Sequence, residues 1–206
     1  MLRTRPSTHR SCQRSFAKQA PTGIGPWPLT DPMCSTVVLR HRLPMLRKGG
    51  AHRLRRGSVS EAGRAYLVTT VTHTRYPLFA DLQRGRQIVR ALHGTADRAE
   101  TLCYVVMPDH IHWLIRLRSA AQLAATVQKA KSLATRYIHS VSAWQGAVWQ
   151  RGFHDRAIRD GEDVRAIARY VVANPVRAGL ASSLRWYSLW DAVWLEDGDE
   201  PGDLFM

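Results

Sequence analysis

Met107-Pro108-Asp109-His110-Ile111-His112-Trp113-Leu114-Ile115-Arg116-Leu117 is the stretch that decides the fold. From His110 the residues alternate. Ile111, Trp113, Ile115 and Leu117 fall on one face, and His110, His112, Leu114 and Arg116 on the other. A period of two predicts a strand over 110–118. Immediately before it, Pro108-Asp109 turns the chain, and the apolar run Leu102–Met107 reads as a buried strand. The two strands form a hairpin.

Working outward, Ala65–Thr72 is rich in β-branched residues and reads as a strand. Between it and the hairpin, residues 81–97 place Leu82, Ile88, Val89 and Leu92 at helical spacing. Beyond the hairpin, Leu123, Val127, Ala130, Ala134, Tyr137 and Val141 recur in steps of three and four, predicting a long helix over 121–142. Residues 147–159 read as a loop and strand. A last helix is expected from a cap at Asp160 to Asn174, ended by Pro175. The order β-α-β-β-α-β-α around a central hairpin predicts an α+β, ferredoxin-like antiparallel sheet. Helices cover one face, and the other is available for an active site.

Charge narrows the partner. The 206 residues carry 30 Lys and Arg against 16 Asp and Glu, for a net charge of +14. Residues 1–60 hold +11 of it, and five acids lie in the last eleven residues. Three units are expected: a basic, disordered extension over 1–44, a domain over 45–195 and an acidic tail over 196–206. Met33 and Met45 are alternative starts. The three cysteines, Cys12, Cys34 and Cys103, have no CxxC spacing, which argues against a disulfide scaffold or a cysteine zinc cluster. Neither a membrane span of about 18 apolar residues nor an N-terminal apolar segment is visible. A cytoplasmic protein with a nucleic-acid partner is the expectation.

Two side-chain pairs could carry chemistry. His110 and His112 share a strand face, so they are either half of a metal site or two half-exposed histidines. Tyr170 and Asn174 stand four apart on the last helix and project together. By themselves they read equally as packing and a helix stop. Together the pairs describe a reaction. A phenol, with an ordinary pKa of about 10, attacks a phosphate poorly unless that phosphate is made more electrophilic. A divalent ion held by two imidazoles and an amide oxygen does so as a Lewis acid. The basic residues Lys129, Lys131 and Arg136 on the long helix are either a solvated face or phosphate contacts. His73, His93, His139 and His154 are scattered and read as surface residues, with His154 nearest to the tyrosine helix in sequence.

Several blocks resemble the REP-associated tyrosine transposases, a family of the single-tyrosine, IS200-like transposases. They are Arg55-Arg56-Gly57-Ser58, Tyr66–Phe79, Tyr104–His112, Val148–Phe153 and Tyr170–Leu180, with Trp186-Tyr187-Ser188 beyond. Met-Pro-Asp-His-x-His followed by Asn-Pro-Val-Arg-Ala-Gly is the most specific part. The family has another basic residue where Ser58 stands. The resemblance implies the "HUH" nuclease fold, with His110 and His112 as metal ligands, Asn174 as the third ligand and Tyr170 as the nucleophile. It implies magnesium or manganese as the ion and single-stranded or hairpin repeat DNA as the substrate, in the bacterial nucleoid. The product would be a covalent phosphotyrosine and a free 3′ hydroxyl. Joining two cut ends takes two tyrosines, hence a homodimer. The alternative is a domesticated relative that binds repeats without cutting.

Arg53, Arg55 and Arg56 stand just before the first strand, where a basic arm can clamp a DNA strand. Neutralising all three is expected to flatten the slope of log affinity against log salt by about 0.7–0.9 per lost phosphate contact. An unchanged slope in a filter-binding titration would make them solvated arginines.

Overall fold

Ile111, Trp113, Ile115 and Leu117 are all buried, as their alternation requires, and fix the strand that bears them in the middle of the sheet. The computed structural model describes residues 60–118 and 122–194. The extension 1–44, the tail 196–206 and Arg53, Arg55 and Arg56 lie outside the described residues. The elements are β1 (Ala65–Val71), α1 (Leu82–His93), β2 (Ala99–Met107), β3 (His110–Leu117), α2 (Leu123–Val141), β4 (His154–Ala157), α3 (Val164–Val172), α4 (Asn174–Arg177) and β5 (Trp190–Ala192). The five strands form one antiparallel sheet in the order β4-β1-β3-β2-β5. This is the expected α+β architecture.

Helices were expected on one face only, but the sheet has both faces covered, because the last helix also carries an apolar stripe. On one, α1 and α2 pack through Ile88, Leu92, Val127, Ala134 and Ile138 onto Tyr66, Val68, Ile111, Trp113 and Ile115. Trp113 donates its indole N–H to Thr101 Oγ1 at 3.1 Å, so its polar edge is satisfied inside the core. On the other face α3 lays Ala168, Val171 and Val172 on Cys103, Val105, Met107 and Leu114. That is the face on which His110 and His112 stand. Cys103 is the small core residue its position suggested, and burial pushes its thiol up to about 12.

Three local expectations are corrected. Asp160 does not cap the last helix. Gly161 takes a left-handed φ of 84°, so the chain turns there, and Asp163 accepts from the backbone N–H groups of Arg165 and Ala166. Pro175 does not end the helical path, but opens the extra turn α4. The expected order ends on a helix, but the chain goes on to add the strand β5 at the sheet edge. Trp190 pairs with Val105 as part of the edge strand β5, which at three residues is too short to show alternation. Among the described residues no helix is long and apolar enough to cross a membrane.

Trp113→Ala removes the largest fully buried side chain and strands Thr101. The expected loss is about 3–5 kcal/mol of stability in urea denaturation. A loss under about 1 kcal/mol would mean that the core is not organised around this residue.

Candidate active site

The antiparallel register sets the site. His112 lies between Thr69 of β1 and Val105 of β2, and His110 between Val71 and Met107. Thr69 therefore shares a face with His112, and its Oγ1 pairs with His112 Nδ1 at 2.9 Å. On the other ring, His110 Nδ1 donates to Asp109 Oδ1 at 2.5 Å. With both Nδ1 atoms tethered, the two Nε2 atoms face each other 3.2 Å apart. The rings meet edge to face, centroids 4.8 Å apart.

Asp109 is itself held. It is buried, and Arg75 Nη1 donates to its Oδ2 at 3.0 Å. Burial alone would raise its carboxyl, but the bonds and charges of His110 and Arg75 outweigh it and the net shift is downward. Arg75 reaches Asp109 from a strained loop. Thr74 and Arg75 are consecutive non-glycine residues with φ of 54° and 57°, each costing roughly 1–3 kcal/mol. Thr72 braces the loop, its N–H and Oγ1 both donating to the Asp109 carbonyl at 2.9 Å. Such strain persists only where surrounding contacts hold it, here the Thr72 bonds and the Arg75–Asp109 pair.

These imidazoles suit a divalent ion. Two nitrogens about 2.1 Å from one ion stand about 3.0 Å apart at a right angle and about 3.4 Å apart at a tetrahedral one, and 3.2 Å falls between. A ligand must be neutral, and burial, aided by the charges of His110 and Arg177, pushes His112 down to about 3. A carboxylate behind one imidazole and a hydroxyl behind the other are the supports that orient metal-bound histidines. Among the described residues no group of three His, Cys, Asp or Glu could complete a site. The third donor expected from the sequence is an amide oxygen.

Asn174 offers one. Pro175 lacks the N–H that would bond the Val171 carbonyl, and Asn174 Nδ2 donates to that carbonyl instead, at 2.7 Å. The amide is thereby oriented, and its Oδ1 accepts from Arg177 Nη2 at 2.9 Å. Arg177 Nη1 also donates to the Tyr170 carbonyl at 3.0 Å, and its guanidinium lies 3.8 Å from the centre of the Tyr170 ring. The Arg177 charge acts on His112, so this end of the helix lies within electrostatic reach of that imidazole.

Tyr170 is 40% exposed. Its ring lies under Arg177, and each of the other tyrosines has contacts of its own. Tyr66 and Tyr104 are buried, Tyr137 lies under Arg90, and Tyr187 donates to the Val106 carbonyl at 2.6 Å. Tyr76, the other exposed one, stacks on Trp144 with centroids 5.0 Å apart. Of the basic residues expected to meet DNA, Lys129 pairs with Asp97 at 2.8 Å. Lys131 is buried, and its ammonium donates to the carbonyls of Gln150 and Gly152, both at 2.8 Å. It ties down a loop. His154, exposed at the start of β4, pairs with Thr69 in the row that holds His112. Asp109, Thr69, Arg75 and Arg177 were not singled out from the sequence. An aspartate directly before His-x-His was the one available signal.

Comparisons with known proteins bear on the family and the fold. The sequence profile of the family described as "Transposase IS200 like" matches residues 63–174, more than half of the chain and a span that includes both histidines, Tyr170 and Asn174. A curated REP-associated tyrosine transposase of Haemophilus influenzae is 29% identical over 90 residues, covering 39% of this chain. The chain spans about half the length of that relative (51%). A solved structure of a REP-associated tyrosine transposase bound to a REP hairpin superposes with a TM-score of 0.52 at 23% identity. It covers 64% of this chain and 78% of the other, a likeness of fold.

The buried imidazole has a consequence for stability. His112 is neutral in the fold, whereas in the unfolded chain it takes up a proton near pH 6.5. Protons therefore favour unfolding, by about 1.4 kcal/mol per pH unit, from about pH 6.5 down towards pH 3. With a chelator present, urea denaturation at pH 7 and pH 5 should show the parent losing clearly more stability than His112→Asn. Equal losses would mean that His112 is solvated.

Proposed function

Because the chain belongs to the IS200-like transposase family, we propose that it cleaves and rejoins single-stranded or hairpin repeat DNA through a covalent phosphotyrosine at Tyr170. The observation that carries this reading is the pair of imidazole Nε2 atoms, converging at 3.2 Å on the sheet face that α3 crosses. The hairpin named with the solved relative supports the substrate class.

His110 and His112, with Asn174 Oδ1, are the residues that would hold magnesium or manganese. When bound, such an ion supplies Lewis acidity to a non-bridging phosphate oxygen. For ligation, His112 keeps its proton on Nδ1, donated to Thr69, and frees Nε2. His110 is fixed in the same tautomer by Asp109. Tyr170 provides the oxygen: a bond forms from its Oη to phosphorus, and the bond from phosphorus to the 3′ oxygen breaks. The phenol's proton leaves to solvent and the 3′ oxygen takes one up. The phosphodiester energy is kept in the tyrosyl ester, so the reverse attack by a 3′ hydroxyl rejoins a strand without ATP. Each Tyr170 holds one end, so joining two ends takes two copies of the chain. The net positive charge supports DNA binding, with Arg53, Arg55 and Arg56 as contacts from the basic head.

Tyr170→Phe keeps the ring under Arg177 and removes the attacking oxygen. Incubated with labelled hairpin DNA and Mg²⁺, the parent should give a covalent adduct on a denaturing gel. Tyr170→Phe should give neither adduct nor cut strand, at unchanged DNA affinity. His112→Ala should lose cleavage and keep most of the affinity, because phosphate contacts supply it. Cutting by Tyr170→Phe at the parent rate would make water the nucleophile. DNA binding with no adduct from the parent would leave a binding module.

A further inference from the structure

Arg177 takes no part in the attack or in ligation, yet its guanidinium touches both groups that do. It donates to Asn174 Oδ1 at 2.9 Å and to the Tyr170 carbonyl at 3.0 Å, and it covers the Tyr170 ring at 3.8 Å. The Asn174 amide cannot present another oxygen, because its Nδ2 is committed to the Val171 carbonyl. A guanidinium stays charged at any working pH and cannot withdraw by losing a proton.

An ion on Asn174 Oδ1 would sit about 2.1 Å from that oxygen and so no more than about 5 Å from the nitrogen now bonded to it. A divalent and a monovalent cation at that distance, in a half-buried site, repel strongly. The observed arrangement and one that ligates an ion through Asn174 are therefore alternatives. Moving Arg177 off Asn174 also uncovers the ring of Tyr170. It leaves a free planar fork of donors beside the nucleophile, suited to grip a phosphate through two oxygens.

We propose that Arg177 is an exchanging positioning residue. It holds Asn174 and Tyr170 closed, and gives up the Asn174 oxygen to a divalent cation when a DNA phosphate arrives to receive the guanidinium. This rests on the metal reading of His110, His112 and Asn174 given above. Its consequence is that ion binding and DNA binding reinforce each other through one side chain, and by thermodynamic linkage the coupling is mutual.

The test is Mn²⁺ affinity, read by electron paramagnetic resonance of the free ion. It is measured in a Tyr170→Phe background, so that the DNA stays intact, with and without a hairpin oligonucleotide. Without DNA, Arg177→Gln should tighten Mn²⁺ binding about tenfold. Arg177→Lys, which keeps the charge and loses the fork, should fall between. The hairpin should tighten Mn²⁺ binding to the Arg177 protein and do so far less in Arg177→Gln. Urea midpoints near the parent's show that both variants fold. If Arg177→Gln binds Mn²⁺ equally or more weakly while His112→Ala abolishes binding, the metal site stands and the exchange is overturned. If no form binds Mn²⁺, with DNA or without, the metal reading fails and takes the exchange with it.

Discussion

The two-residue period of β3 is the constraint on which the rest of this structure depends. Trp113, Ile115 and Ile111 must be buried, and their burial forces His110 and His112 onto the opposite face. A register slip of one residue would bring two imidazoles under α1 and α2 and turn an indole outward. The core thus holds the site in place. Because β3 is central in the sheet, both its neighbours contribute: Thr69 from β1 supports one ring, and the turn after β2 brings Asp109 to the other.

A second constraint acts on the facing helix. Proline at position 175 removes one backbone donor, and the side chain of Asn174 replaces it at the Val171 carbonyl. What a sequence reading takes for a helix stop is a device that fixes an amide. The apolar stripe through Ala168, Val171 and Val172 then seats this helix on Cys103, Val105 and Leu114, beside the histidines. Strand alternation, helix packing and a proline thus converge on one surface.

Much of this was legible in the sequence, and the reasons are specific. Ile111 to Leu117 alternate cleanly, and Leu123 to Val141 keep a helical period over five turns, so hairpin, long helix and sheet class follow from side-chain spacing. The pairing of His110 with His112, and of Tyr170 with Asn174, follows from the same periods. Features that depend on partners distant in sequence were not legible. Thr69 meets His112 only through the register of β1 and β3, and Arg75 meets Asp109 only through two residues in left-handed conformation. Lys131 read as a surface cation on a basic helix, yet its stem is buried and its ammonium is bonded to a loop about 20 residues away. Charge alone does not tell a phosphate contact from a tether. Arg177 stood in a recognisable block without a role, since its partners are set by how α4 follows α3.

The central claim is that Tyr170 attacks DNA from beside the histidine pair. Tryptic digestion after reaction with hairpin DNA and Mg²⁺, followed by nuclease trimming and mass spectrometry, tests it most directly. The account predicts a nucleotide phosphate on the peptide Tyr170–Arg177 and on no other peptide. A nucleotide on a peptide bearing Tyr76 instead, or cleaved DNA with every tyrosine peptide unmodified, would contradict it.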